Sequence, residues 1–282
     1  MATIDIDGRT VEYERRGTGS PVILSSPTWW PLDAWKLSGL PELSGVHEVV
    51  AFNHRGIGGS TETDGPYTVE SMAGDVVALA DALGFERVHL AGYAIGAAVA
   101  MAAAQRHPAR IRSLTLAAPS SGLPQSAPSP RDAVLRDVEA RGFEAHVRDH
   151  VAESTHPSFV RDRPAAAVAL SDALWQHQGS LANFLNHAQA RRGYAALEFT
   201  PGITMPALVL VGAEDAAARG TLSPVAAARA IAAALPDARL TLLAGVGHMP
   251  FWEHPAVWNA VLQFLAEADR AHGAAQDVSP GP

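Results

Sequence analysis

Two residues with complementary chemistry stand at the ends of apolar runs late in the chain. Asp215 closes "PALVLVGAED" and His248 sits in "LLAGVGHMPFWEHP". A carboxylate that holds one imidazole nitrogen leaves the other free to move a proton, so such a pair is a general base in search of a substrate or a nucleophile. The nucleophile would be sought in "AGYAIGAA" (91–98), where an apolar strand runs into an alanine-rich helix. In Gly92-Tyr93-Ala94-Ile95-Gly96 a glycine on each side of the central residue permits a sharp strand-to-helix turn. That turn lifts residue 94 into a pocket and aims the next backbone N–H into it from a helix N-terminus. Residue 94 is alanine, whose methyl group attacks nothing.

The elements needed to position these residues can be read from the hydrophobic pattern. "TIDIDGRTVEYERRG" alternates around Asp7-Gly8 and reads as a hairpin. Short apolar runs at 21–26, 47–53, 87–92, 111–118, 206–215 and 238–245 read as strands. Helical patterns cover 67–84, 95–107, 223–236 and 254–270. Strand and helix in alternation imply an α/β domain, a mostly parallel sheet with helices on both faces. The alternation breaks after "APSSGLPQSAPSPR" (118–131), and the chain to about Thr200 reads as helices without strands. The expected organisation is a core of residues 1–118 and 201–272, a helical cap over 119–200, and a disordered tail over 273–282.

Composition excludes several functions. The chain of 282 residues has no cysteine, so disulfides, thiolate catalysis and Cys-based metal sites are ruled out. Its net charge of −8, with no basic block, argues against a nucleic-acid or anionic-membrane surface. The N-terminus "MATIDIDGRT" has no signal pattern and no apolar run is long enough to span a bilayer, which leads to the expectation of a cytoplasmic protein with a small-molecule substrate. The hydrophobic fraction of 48% is ample for a large core. His146-x-x-x-His150 has a metal-site spacing, but the residues between lack the glutamate such motifs use, so no metal and no cofactor are expected.

The order position 94, then Asp215, then His248, each at a strand's C-terminal end, resembles the α/β-hydrolase superfamily. "FNHRGIGGST" (52–61) is similar to that family's Arg-Gly-x-Gly-x-Ser stretch, with Asn53 where aspartate is more usual, and "GVGHMPFWEHP" is similar to its histidine loop. The resemblance implies an α/β-hydrolase fold, with Ala94 at the nucleophile position, Asp215 as triad acid and His248 as triad base. It also implies oxyanion-hole N–H groups on Thr28 and Ile95. The chain departs from the family pattern at Ser26-Pro27, where His-Gly is common; Pro27 has no N–H to donate. Trp29, Trp30, Tyr93 and Trp175 are the substrate-binding candidates, with Phe184 and Leu185 in a cap helix beside them. Arg191 and Arg192 could meet a carboxylate, although a solvent-facing pair is the expectation. None of Ser25, Ser26, Ser60, Ser120 or Ser121 is at the elbow tip.

Alanine at 94 leaves three readings. The chain is an inactivated form of a serine hydrolase of small esters, lactones or activated ketones. Or alanine is natural, and His248 is the base of a non-hydrolytic isomerase, cyclase, lyase or cofactor-free oxygenase. Or the site is retired and binds a ligand without turnover.

Overall fold

The computed structural model describes residues 1–216 and 221–277, with side chains through 272. The hairpin is formed by β1 (Ala2–Ile6) and β2 (Arg9–Arg16). Asp7 and Gly8 turn it with φ of 52° and 76°, the paired positive values that match strand twist. β3 (Pro21–Ser25), β4 (Glu48–Phe52), β5 (Val88–Tyr93), β6 (Ile111–Ala117), β7 (Ala207–Gly212) and β8 (Ala238–Leu243) follow. Together they form one eight-stranded sheet in the order β1-β2-β4-β3-β5-β6-β7-β8. β2 pairs antiparallel with β1 and β4, and every pairing from β4 to β8 is parallel.

Helices cover both faces. α1 (Asp33–Leu37) and α2 (Leu40–Leu43) are short turns after β3 that the apolar pattern does not announce. α3 (Val69–Ala82) starts on a Thr68 cap whose hydroxyl accepts the Ser71 N–H. α4 (Ile95–Arg106) follows β5 directly, and its first ten residues are buried. Their small side chains let the helix lie close between the sheet and α3, as full burial requires. Between β6 and β7 come α5 (Pro130–Arg141), α6 (Phe143–Arg148), α7 (His150–Ser154), α8 (Pro157–Asp162), α9 (Pro164–Gln176) and α10 (Leu181–Gln189). α5, α8 and α9 each open on a proline, which suits a first helical turn and no later one. α11 (Pro224–Ala234) precedes β8, and α12 (Pro250–Glu253) and α13 (Val257–Asp277) close the chain. Residues 273–277 of the expected tail therefore continue α13, while 278–282 lie outside the described residues.

The core falls into two clusters, one on each sheet face. α3, α4 and α11 pack on one; α1, α12, α13 and the helices of the insertion pack on the other. Among the described residues no helix is long and apolar enough to cross a membrane.

Candidate active site

The elbow is tightly built. Ala94 has φ 52° and ψ −118°, a conformation costly for any residue with a Cβ, and it lies between β5 and α4 at 7% exposure. Its amide donates to the Ala117 carbonyl of β6 at 2.9 Å, which fixes the turn against the sheet. The flanking glycines are needed for close approach. A Cβ on Gly96 would meet the Ser25 carbonyl oxygen at 2.2 Å, and one on Gly92 would meet the Gly96 carbonyl at 2.3 Å. Backbone that close leaves space for hydrogen only.

Asp215 follows β7, and His248 lies in the loop between β8 and α12. The His248 Nδ1 is 2.7 Å from an Asp215 carboxylate oxygen, both side chains being buried. The loop is held from two sides. The His248 amide donates to the Ser154 carbonyl at 2.9 Å. Glu253, at the end of α12, accepts the amides of Gly247 and Met249, which flank the histidine, and that of His156 in the insertion, at 2.7 to 2.8 Å. Burial pushes the Glu253 carboxyl above its ordinary value; the three N–H groups oppose that shift and the Asp215 charge adds to it. Glu253 was not singled out from the sequence, where it is one more acidic residue of "MPFWEHP".

Ala94 and His248 share a small cavity, lined also by Pro27, Thr28, Trp29, Trp30, Tyr93, Ile95, Ser120, His150, Arg191 and Tyr194. Thr28, Ile95, Trp29, Trp30 and Tyr93 are thus brought together around position 94. Trp30 is 1% exposed, edge-on to Tyr93 at 5.3 Å and close to Trp252 at 5.0 Å. Trp29 packs between His150 and Phe184, each at 4.9 Å. Trp175 is elsewhere: it stands in the last turn of α9, and its ring lies edge-on to Phe143 at 5.4 Å instead of lining the cavity. Leu185 is buried in α10, also outside the lining.

The sequence expectation fails for the arginine pair. Arg191 lines the cavity and Arg192 lines a separate groove beside Tyr67, Thr68 and Gln125. A short bridge between Leu123 and Arg192 sets this segment, with the Leu123 amide on the Arg191 carbonyl and the Gly193 amide on the Leu123 carbonyl. His146 and His150 also separate, since the chain changes helix at Asp149. His146 meets the Asp137 carboxylate, while His150 packs on Trp29. Of the serines, Ser26 accepts the Trp35 indole N–H, Ser60 bonds the Asn53 carbonyl, and Ser121 accepts the Leu222 amide. Only Ser120 of the five reaches the cavity lining. Asn53 has a physical reason to be an amide: its Oδ1 accepts the Leu32 N–H at 2.6 Å while its Nδ2 donates to Glu12 at 2.7 Å. An aspartate would face a second carboxylate there.

The alpha/beta hydrolase fold family matches residues 25–255, and the chain belongs to that family of enzymes. It is 30% identical over 262 residues to a protein of Variovorax paradoxus assigned by name as the carbamate hydrolase RutD, covering 91% of this chain and 96% of that one. A protein of the same name from Azorhizobium caulinodans is 28% identical over 262 residues, covering 92% of this chain and 96% of its own length. The enol-lactonase of Burkholderia xenovorans superposes with a TM-score of 0.81 over 94% of this chain and 100% of that one, at 24% identity, a likeness of fold. These three proteins carry the names of hydrolases.

Proposed function

We propose that this chain is a hydrolase scaffold for small esters, lactones, activated ketones or carbamates, in which alanine occupies the position where a serine would attack. One observation carries the reading: an Asp215–His248 pair at 2.7 Å opens onto the same cavity as residue 94, which has the positive φ of an elbow tip. With serine at 94, the hydroxyl oxygen would bond the substrate carbonyl carbon while His248 Nε2 took its proton. Asp215, engaged at Nδ1, would hold the tautomer and balance the imidazolium. The backbone N–H groups of Thr28 and Ile95 would receive the oxyanion. Collapse would expel the leaving group with the proton from His248, and water would release the acyl group by the same path. Carbamates enter through the names of the relatives, lactones and esters through the names of the solved structures that share the fold. The experiment is Ala94→Ser assayed on short p-nitrophenyl esters, lactones and N-aryl carbamates. A gain in kcat/KM of about a hundredfold or more is expected, since a triad acts as a unit. No gain on any of the three classes sinks the reading.

A second reading draws on the same pair. A base retained beside a methyl group suits proton abstraction next to a carbonyl, with the two N–H groups stabilising an enolate. It is favoured instead if His248→Ala abolishes a turnover that Ala94→Ser does not improve.

A further inference from the structure

One wall of the cavity is a single side chain thick. Trp30 is backed by Trp252 at 5.0 Å and Trp29 by Phe184 at 4.9 Å, so on those sides the cavity ends against packed core. Tyr194 is different. It lines the cavity, and alone among the residues of that lining it also lines two surface grooves. One groove runs past Tyr67, Glu70 and Arg192, the other past Ser121, Gly122 and Glu198, and the two adjoin at Gln125 and Gly193. Open space therefore lies on both sides of one phenol ring, itself only 6% exposed.

The ring is firmly held. Gly122 lies so close that a Cβ there would come within 2.8 Å of two ring carbons. Phe199 stacks on the ring at 6.2 Å, 19° from parallel, and the hydroxyl is hydrogen-bonded to Ser120. The backbone is pinned on both sides: the Gly193 amide donates to the Leu123 carbonyl at 2.7 Å and the Ala196 amide to the Ser121 carbonyl at 3.0 Å. A substrate group pushing past Tyr194 would have to displace packed core, and overpacking of that kind costs more than burying one or two methylenes returns.

We propose that Tyr194 sets the upper length of the substrate: an unbranched acyl or alkyl arm extends along the cavity until it meets the ring, and longer arms are refused. Removing the ring joins the cavity to the grooves and moves that limit outward. This deepens the hydrolase reading by naming a size class, short-chain substrates, and rests on it only for the cavity being where substrate binds.

The test needs no turnover. Unbranched 1-alkanols can enter either end first, so their affinities report the length of room available whichever arm of a substrate occupies it. Calorimetric titration compares 1-butanol, 1-hexanol and 1-octanol on the full chain. In the unchanged protein 1-octanol is expected to bind within twofold of 1-butanol. A fully buried methylene is worth roughly fourfold in affinity. Tyr194→Ala, which admits further methylenes to the part-open grooves, should therefore make 1-octanol at least tenfold tighter than 1-butanol. Tyr194→Leu, which keeps an apolar plug against Phe199 should the alanine variant fail to fold, should raise the ratio at least threefold. Tyr194→Phe keeps the ring and should keep the limit. A ratio above threefold in the unchanged protein overturns the proposal. So does a ratio that neither Tyr194→Ala nor Tyr194→Leu raises, or one that Tyr194→Phe raises as far as they do. Ala94→Ser on p-nitrophenyl acetate judges the hydrolase reading separately, since the alkanols need no nucleophile.

Discussion

Two histidine–aspartate pairs stand at opposite ends of the same sheet. At the carboxyl ends of the strands, Asp215 and His248 meet at 2.7 Å beside a cavity and an alanine. At the amino ends, His89 of β5 meets the Asp269 carboxylate of α13 through Nε2 at 3.1 Å and the Ser113 hydroxyl of β6 through Nδ1 at 2.7 Å. The lower set is thus a hydrogen-bonded Ser–His–Asp arrangement, extended by Ser20, His47 and Arg112. Yet His89 and Ser113 are both 0% exposed, and no substrate can reach them. The lower set has the hydroxyl without the pocket; the upper set has the pocket without the hydroxyl. The three residue types do not make an active site. A strained turn that lifts one of them into open space does, and only the upper end has Ala94 in that conformation.

The sharpest way to break this comparison is kinetic. In an Ala94→Ser background, His248→Ala should cost about a thousandfold in kcat/KM, while His89→Ala should leave the rate of the folded fraction within a few-fold. Equal losses, read from initial rates corrected for folded protein, would erase the distinction. Stability should invert the order. His89→Ala strands a serine hydroxyl and a carboxylate that now pins α13, and should cost about 3 kcal/mol in urea unfolding. His248→Ala opens onto a cavity that water can enter, and should cost nearer 1 kcal/mol.

Acid should separate the two ends. Burial lowers His54 to about 4 and His187 to about 3, each as a neutral ring: His54 bonds the Ser26 carbonyl, and His187 of α10 bonds the Arg55 carbonyl. Both folded values lie below the unfolded one, so the stability they represent is complete above about pH 6.5 and drains away as pH falls toward those values. For His54 the whole span is on the order of 3 kcal/mol. Asp269 behaves differently. Burial alone would raise it, but His89, Ser20 and Arg112 hold it well below the usual carboxylate range. Between pH 6 and 4 the contact of α10 with the loop after β4 should loosen, seen as a change in Trp29 fluorescence. Amide exchange in β5 and the facing part of α13 should stay slow. Simultaneous loss at both ends would contradict this. The smallest effect belongs to Glu253→Gln, which keeps one carbonyl acceptor for the amides around His248. It should lower the urea midpoint by the equivalent of about 0.5 kcal/mol.

The scaffold was legible because its signals are local. Apolar runs of strand length, the Asp7-Gly8 turn, the glycines around residue 94 and the histidine loop each depend on a few adjacent residues. The strand at 206–215 ends sooner, at Gly212, because the chain must turn there to present Asp215. The cavity's outer wall was less legible. His150, Arg191 and Tyr194 come from an insertion of short helices whose packing is set by distant contacts, and no periodicity in 119–200 marks which side chains face inward. Trp175 shows the same limit from the other side. A large aromatic in the right segment is turned away by Phe143, a neighbour far off in sequence. Arg191 and Arg192 are identical as letters, and only the folded chain puts the first on the cavity and the second on a separate groove.

Covalent labelling tests most directly whether residues 94, 215 and 248 work as one constellation. Ala94→Ser is exposed to a small alkyl fluorophosphonate, and peptide mass spectrometry locates the adduct. The account predicts one phosphonate at position 94, formed at least a hundredfold faster than in Ala94→Ser/His248→Ala, and none at Ser113. An unlabelled position 94, or labelling there at the same rate without His248, would contradict it.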